Sequence, residues 1–296
     1  MHLTGSITAL ATPFTASGEI DFPAWQRLLD QQIAGGTRGV VVAGSTGEAA
    51  TLSDQEFGLL LRAAVQHVAG RMQILAGTGQ SSTAKTIAQT QLASAAGADA
   101  ALVVTPPYVR PTPAGLIAHY TAVAEQGGLP VVLYNVPGRT GCDMQPETVA
   151  ELCKHPGIIG IKEARGDEER WSALYPLASA NFSLLSGDDP TFVRALRGGA
   201  SGVISVASNV VPRVFSKLCA LLASGSGDAA VALDARLAPL YDFLGVESNP
   251  IPVKAVLQRL GIGTQLRLPL QVLSPRYAGQ ADEMAALCRQ IEAELS

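Results

Sequence analysis

The stretch that decides the fold reads Gly157-Ile158-Ile159-Gly160-Ile161-Lys162-Glu163-Ala164. Runs rich in valine and isoleucine are typical of strands buried on both faces of a parallel sheet. A lysine at the end of such a strand is unusual, because burial of an unpaired ammonium is costly and favours the neutral amine. A neutral amine can attack a carbonyl carbon, so Lys162 is a candidate for Schiff-base formation. The alternative is a structural lysine whose amine reaches solvent or pairs with Glu163.

Seven other apolar runs resemble this strand, and a segment of helix length follows each of them. The eight predicted strands are Gly5–Thr12, Gly39–Ala43, Met72–Ala76, Ala100–Thr105, Pro130–Tyr134, Ile158–Lys162, Phe182–Ser186 and Gly202–Val206. Their starts are roughly 20 to 35 residues apart, the length of a strand, a helix and two loops. Eight such units predict an α/β fold, a (β/α)8 TIM barrel. The rival fold is an open doubly wound sheet, but no GxGxxG motif follows the first strand.

Helix-start signals divide the rest of the chain. Ser53 and Glu56 form a capping box. A capping residue stands before a proline suited to the first helical turn in Thr112-Pro113, Asp189-Pro190 and Asn249-Pro250. The segments after the eighth strand all have helical patterns. We therefore predict a barrel catalytic domain over residues 1–224 and an appended C-terminal helical region over residues 225–296.

Composition excludes several classes of protein. The chain has 296 residues, of which 47% are hydrophobic and 16% charged, and its formal net charge of −4 disfavours binding to nucleic acid or anionic membranes. No signal peptide and no membrane span is predicted. The four histidines have no ligand spacing, so we expect no metal. The four cysteines are scattered and form no CxxC pair, which indicates reduced thiols in a cytoplasmic protein. They are Cys142, Cys153, Cys219 and Cys288.

Polar side chains follow several predicted strands, at the end of a barrel where active sites lie. Ser45 and Thr46 stand in a glycine-flanked turn whose amides and hydroxyls can bind an anion, although it could be an ordinary turn. Tyr134 ends the fifth strand and can exchange protons. Arg139 could bind a carboxylate with two hydrogen bonds, or it could be an exposed loop arginine. Tyr108 lies after the fourth strand in a loop stiffened by prolines.

The ends of the seventh and eighth strands carry Asp188 and Asp189 rather than a phosphate site. Two carboxylates there would repel a phosphate, which disfavours pyridoxal phosphate, flavin and sugar phosphates. An amine, a phenol, hydroxyls and an arginine instead suit imine chemistry on a small keto acid. The expected covalent intermediate is an imine on Lys162, with no separate cofactor.

These residues resemble the pyruvate-dependent class I aldolase family of N-acetylneuraminate lyase and dihydrodipicolinate synthase. The resemblance covers essentially the whole chain. Within it, Gly138-Arg139-Thr140-Gly141 resembles the dihydrodipicolinate synthase branch. The other matching segments are Thr8–Phe14, Gly44–Glu48, Ala76–Gly79, Tyr134–Pro137, Gly160–Ala164, Leu185–Asp189, Gly202–Val206 and Asn249–Lys254.

The resemblance implies condensation of pyruvate with L-aspartate 4-semialdehyde, a step towards diaminopimelate and lysine. It implies a Schiff base on Lys162, a carboxylate of the semialdehyde on Arg139, and a homotetramer built from two tight dimers. A proton relay would join Tyr134, Thr46 and Tyr108, the last from a neighbouring subunit. Residues that would bind substrate are Ser45, Thr46, Arg139, Gly187 and Ile204.

The chain departs from the family pattern at three places. Ser45 replaces a usual threonine but keeps the hydroxyl. Pro107 and Val109, on either side of Tyr108, replace a tyrosine and an asparagine, which changes the packing expected around it. In some members of the family a pocket binds lysine as a feedback inhibitor. Lys85 stands at one of the matching positions and would repel the lysine ammonium, so we predict weak or absent feedback. The matching positions are Ala49, Asp54, Phe57, Ser81, Lys85 and Pro107.

Two alternative functions remain open from the sequence. A sibling aldolase or dehydratase would keep Lys162 and Tyr134 but act on another aldehyde or a sugar acid. A keto-acid-binding protein without turnover could use the same scaffold, because fold alone does not prove activity.

Overall fold

The computed structural model describes residues 1–295, which are built around a closed barrel of eight parallel strands in sequential order. Each strand pairs with the next, and the last pairs with the first, where Gly5 lies opposite Gly202. The predicted (β/α)8 barrel is therefore confirmed, and an open doubly wound sheet is wrong. The strands are β1 (Gly5–Ala9), β2 (Gly39–Val42), β3 (Gln73–Gly77), β4 (Ala100–Val104), β5 (Val131–Asn135), β6 (Ile158–Glu163), β7 (Ser183–Ser186) and β8 (Gly202–Ser205).

The first strand is shorter than predicted. It ends at Ala9 rather than Thr12, because side chains replace the backbone ladder there. The Ala11 amide donates to Asn209 Oδ1 at 3.0 Å, and Thr12 Oγ1 donates to the Gly47 carbonyl at 2.7 Å. This apolar stretch is therefore a buried loop that packs beneath the turn after β2.

The helices surround the barrel and continue beyond it. Two predicted caps are present, since the Glu56 amide donates to Ser53 Oγ at 3.2 Å and the Gly115 amide donates to Thr112 Oγ1 at 3.2 Å. The helices are α1 (Phe22–Ala34), α2 (Asp54–Val68), α3 (Thr83–Ala95), α4 (Pro113–Gln126), α5 (Pro137–Thr140), α6 (Pro146–Leu152), α7 (Glu168–Leu174), α8 (Phe192–Gly198), α9 (Pro212–Ala223), α10 (Gly227–Ala235), α11 (Ala238–Leu244), α12 (Ile251–Arg259) and α13 (Ala278–Glu294).

The other two predicted caps are wrong. The carboxylate of Asp189 accepts instead from the amides of Val206 and Ala207, at 3.1 and 2.7 Å. Helix α12 begins only at Ile251, and the side chain of Asn249 donates to another part of the chain. In both places the side chain hydrogen-bonds to a group far away in the sequence and not to the amides of its own helix that a cap would bind.

The core has two layers, as expected of a barrel whose strands are buried on both faces. Branched aliphatic side chains fill the interior: Ile7, Val41, Leu75, Leu102, Val132, Leu185 and Ile204. Larger clusters lie between the strands and the surrounding helices, with Trp25 and Phe215 among the fully buried side chains. This packing holds the strand ends, and the side chains at those ends, in fixed positions.

Charged and polar contacts attach the segment between α12 and α13 to the rest of the barrel. Arg267 binds the Glu56 carboxylate with two hydrogen bonds, of 2.9 and 2.5 Å, and its Nε donates to the Gly18 carbonyl at 2.8 Å. The division between residues 224 and 225 stays a prediction. Within residues 1–295, none of the helices combines the length and the apolar character needed to cross a bilayer.

Candidate active site

Lys162 and Tyr134 face each other inside the barrel. They are direct partners in the β5–β6 ladder, so strand register places both side chains on the same face. Lys162 is 4% exposed, and its Nζ lies 4.4 Å from the centroid of the Tyr134 ring. Glu163 is the next residue along the strand and points to the opposite face. The alternatives of a lysine that reaches solvent and of a lysine that pairs with Glu163 are therefore both wrong.

Gly187 allows the β7 end to approach the lysine closely. A Cβ atom at this position would lie 2.7 Å from Lys162 Cε and 3.0 Å from its Cγ. Ordinary carbon–carbon contacts are about 3.5 to 4.0 Å. The Gly187 amide is itself fixed, because it donates to the Glu163 carbonyl at 2.7 Å. Only glycine therefore fits beside the lysine side chain in this arrangement.

A buried polar network supports the outer face of the same strands. Glu163 is fully buried and accepts from Asn135 Nδ2 at 3.0 and 3.1 Å and from the Arg165 amide at 2.8 Å. Asn135 also donates to Asp143 at 2.9 Å, and Arg170 binds Asp143 at 2.5 Å. Burial raises the pKa of Glu163 to about 7, although its hydrogen-bond donors oppose that shift. The network ties β5 and β6 to the segments outside them.

A second buried carboxylate lies beyond β7. The carboxylate of Asp189 accepts hydrogen bonds from the amides of Val206 and Ala207, in the region where many barrels bind a phosphate. Burial raises the pKa of Asp189 to about 6, while the amide donors and the charge of Lys162 favour its ionised form. Because these two amides already bind Asp189, they are not free to bind a phosphate; that this end of the barrel takes no phosphate stays a prediction.

Thr46 and Arg139 meet at a residue from the C-terminal region. Thr46 is buried, and its Oγ1 accepts from Asn249 Nδ2 at 3.0 Å. The Arg139 guanidinium, at the end of the short helix α5, donates through Nη2 to the Asn249 carbonyl at 3.0 Å. Arg139 is otherwise exposed, so its remaining N–H groups face solvent. The predicted hydroxyl and guanidinium are thus joined through one asparagine.

The turn that carries Thr46 is also held by a buried ion pair. Glu48 has a left-handed backbone, with φ of 54°, and its carboxylate contacts Lys254 of α12. It also accepts from the Arg267 amide at 3.0 Å. Lys254 Nζ lies 4.3 Å from the centroid of the Phe14 ring. Burial lowers the pKa of Lys254 to about 8, and the Glu48 carboxylate limits that shift.

Tyr108 lies apart from the other predicted site residues in this single chain. Its side chain is 92% exposed, and Val109 beside it is 53% exposed. Its backbone is anchored, since the Tyr108 amide donates to the Thr140 carbonyl at 3.1 Å, next to Arg139. The φ of Tyr108 is 74°, a rare conformation for a bulky residue. The loop therefore holds the phenol outwards at the edge of the site.

Two predicted substrate-binding residues differ in exposure. Ser45 is exposed at the turn after β2, whereas Ile204 of β8 is fully buried in the barrel interior. Their predicted contacts with substrate stay predictions. The residues that the structure does bring together are Lys162, Tyr134 and Gly187 in one group and Thr46 and Arg139 in another, both at strand ends.

Comparison with known proteins decides the family. A sequence profile of the dihydrodipicolinate synthetase family matches residues 2–287. The chain belongs to this family. A 4-hydroxy-tetrahydrodipicolinate synthase of Stenotrophomonas maltophilia (strain K279a) is 62% identical over 293 residues, which are 99% of each chain. The family predicted from the sequence is confirmed.

Solved structures of dihydrodipicolinate synthases have the same fold. The chloride-inhibited enzyme of Acinetobacter baumannii, complexed with pyruvate, is 40% identical with a TM-score of 0.94, over 97% of this chain and 99% of that one. A monomeric dihydrodipicolinate synthase variant is 38% identical with a TM-score of 0.92, over 99% and 97% of the two chains. At least one solved relative of this family is therefore described as a monomer.

Several residues at this site make contacts that are not predicted from the sequence. Asn249 and Asp189 have the local pattern of a helix cap because each precedes a proline. The sequence places Glu48 only within the turn motif and Glu163 only as a possible partner of the lysine. A buried carboxylate gives no signal in a single sequence beyond its place in a strand. Its partners come from segments far apart in the chain.

Proposed function

We propose that this chain is a lyase that condenses pyruvate with L-aspartate 4-semialdehyde to form 4-hydroxy-tetrahydrodipicolinate. The observation that carries the proposal is the buried Lys162 amine, 4.4 Å from the Tyr134 ring at the C-terminal edge of the barrel. The 62% identical relative with that enzyme name supports this reading over a sibling aldolase. The product belongs to the diaminopimelate and lysine pathway.

The chemistry begins with an imine. Lys162 Nζ attacks the keto carbon of pyruvate and water leaves, so the imine becomes an electron sink for the neighbouring methyl group. Loss of a methyl proton gives an enamine, whose carbon attacks the aldehyde carbon of the second substrate. The amine of the semialdehyde then replaces Lys162 on the imine carbon, which closes the ring and frees the enzyme. No step needs a metal or an organic cofactor.

Proton transfer would use the phenol and hydroxyl groups around the lysine. Tyr134 is within the barrel beside Nζ and is the first candidate. Thr46 would pass protons between the reacting centre and bulk solvent, with Tyr108 completing the relay. The hydroxyls of Ser45 and Thr46, with main-chain groups of Gly187 and Ile204, would hold the pyruvate carboxylate and the imine.

Arg139 would bind the carboxylate of the semialdehyde. One of its nitrogens is held by the Asn249 carbonyl, and the rest of the exposed guanidinium is available for a bidentate contact. A flexible lysine could not provide this geometry.

The exposed Tyr108 supports an assembly of more than one chain. A bulky residue at positive φ costs free energy and persists where the surrounding structure holds it for a purpose. The 92% exposure of its side chain supports a role in a neighbouring subunit's site. We propose a homotetramer of two tight dimers in which Tyr108 completes the partner's relay.

The test combines imine trapping with substrate discrimination. The protein is incubated with pyruvate and sodium borohydride, and the adduct is located by peptide mass. An adduct on Lys162 supports the proposal, whereas pyruvate binding without an adduct favours a binding protein. A panel of aldehydes and sugar acids then separates the proposed synthase from a sibling aldolase. Arg139→Ala should reduce kcat/KM for the semialdehyde and leave pyruvate trapping nearly intact.

A further inference from the structure

Asn249 contacts two functional groups through two different parts of the residue. Its side-chain Nδ2 donates to Thr46 Oγ1 at 3.0 Å, and its backbone carbonyl accepts from Arg139 at 3.0 Å. Its Oδ1 is buried and has no hydrogen-bond partner within residues 1–295. A buried amide oxygen without a partner carries a free-energy cost. The side chain therefore binds Thr46 through its nitrogen only.

The direction of this hydrogen bond has a chemical consequence. An amide nitrogen only donates, so the Thr46 oxygen must accept in this contact. The hydroxyl proton of Thr46 is then free to point elsewhere. A threonine that donated to its neighbour would have no proton left for a relay.

We propose that Asn249 is a positioning residue that sets the polarity of the proton relay through Thr46. The inference rests on the proposed relay role of Thr46. By accepting from Asn249 Nδ2, Thr46 is kept as a donor towards the reacting centre. The segment before α12 thereby takes part in the reaction without contacting substrate.

The contact with Arg139 allows the two functions of Asn249 to be separated. Because Arg139 binds the backbone carbonyl, a change of the Asn249 side chain removes no atom from that contact. Relay polarity should therefore affect kcat, whereas binding of the semialdehyde carboxylate should be unaffected. We expect the KM for the semialdehyde to stay within about twofold of wild type. The kcat should fall much further, because a proton-transfer group contributes roughly 10²-fold or more to the rate.

The decisive comparison is between Asn249→Asp and Asn249→Ala. Aspartate has the same shape, but its carboxylate only accepts hydrogen bonds. The Thr46 hydroxyl would then donate to this carboxylate and could no longer donate into the relay. Alanine removes the donor and leaves the hydroxyl free to rotate. We expect kcat to fall about 10²-fold in Asn249→Asp, the lower end of the range for a lost proton-transfer group, and only about 10-fold in Asn249→Ala, because Thr46 keeps a hydroxyl that can still donate. A purely structural role predicts the opposite order, because aspartate preserves the packing.

Three further variants complete the test. Thr46→Val removes the hydroxyl, and adding Asn249→Ala to it should change kcat less than twofold, because Asn249 acts only through Thr46. This cycle also serves if Asn249→Asp fails to fold. Ser248→Ala is the control, since Ser248 is exposed and the Ile251 amide bonds only its carbonyl.

The role of Asn249 and the relay role of Thr46 can fail independently. Asn249→Asp at least as active as Asn249→Ala, or additive losses in the double variant, would overturn the role of Asn249. Thr46→Val with wild-type kcat would instead show that Thr46 is no relay, whatever Asn249 does.

Discussion

Replacing Gly187 by alanine tests whether close packing of β7 against Lys162 positions the reacting amine. The new Cβ would lie 2.7 Å from Lys162 Cε, 3.0 Å from its Cγ and 3.2 Å from the Glu163 carbonyl oxygen. The backbone of residue 187 cannot retreat easily, because its amide donates to that same carbonyl at 2.7 Å. The lysine side chain must therefore move.

The size of the effect follows from the overlap. Restoring a carbon–carbon separation of about 3.5 to 4.0 Å requires Lys162 Cε to shift by roughly 1 Å. A displacement of about 1 Å at a reacting group can cost about 10²-fold in rate. That loss corresponds to about 2.7 kcal/mol of activation free energy. We therefore expect pyruvate imine formation in Gly187→Ala to be slowed about 10²-fold.

The assay is the single-turnover rate of borohydride trapping with pyruvate, together with thermal unfolding. Gly279→Ala is the matched control, because an added Cβ at that exposed position meets no atom within 4 Å. The control should trap pyruvate at the wild-type rate. A folded Gly187→Ala protein whose trapping rate stays within twofold of wild type would refute the positioning argument.

Three other predictions concern stability and regulation. Lys254→Met should lower the free energy of unfolding by about 3 to 5 kcal/mol, measured in urea, because it leaves the Glu48 carboxylate buried without its charge partner. Glu48→Gln should cost less, since its amide oxygen still accepts, and equal losses would contradict this account. Burial raises the pKa of Glu163 from 4.5 to about 7, so the folded state binds more protons and stability should fall as pH rises across that window, by about 3 kcal/mol in total. Glu163→Gln should flatten that part of the pH profile in urea titrations, and an unchanged slope would assign it to other groups. Millimolar L-lysine should inhibit the initial rate weakly or not at all, because Lys85 is an exposed cation at the predicted effector position; strong inhibition by submillimolar lysine would refute this.

The barrel and its main chemical groups could be predicted from the sequence because their signals are local. Each strand is a short apolar run, and parallel closure brings all the strand ends to one edge. Lys162 and Tyr134 were therefore predictable as neighbours at the level of strand ends. Their direct pairing was not, since register depends on contacts along the whole ladder.

The supporting residues could not be predicted because their partners are remote in sequence. Asn249 and Asp189 both have the local pattern of a helix cap, yet each side chain binds a group outside its own helix. The outward position of Tyr108 likewise depends on a positive φ and on an anchor at Thr140. Propensity describes the competition among local amides only, and a better-placed distant partner prevails in the folded chain.

These remote contacts change how the C-terminal helices are understood. A helical region that served only assembly would be attached at the barrel's outer surface. Here Lys254 forms an ion pair with Glu48, and Asn249 donates a hydrogen bond to Thr46. Two residues of one segment therefore bind the same turn after β2. The Asn249 carbonyl also fixes Arg139 after β5. The geometry of the proposed relay and that of the proposed acceptor site therefore depend on one short stretch, Asn249–Lys254. Because both sites share this support, a disturbance of that stretch should affect proton transfer and semialdehyde binding together, whereas single side-chain changes within it separate them.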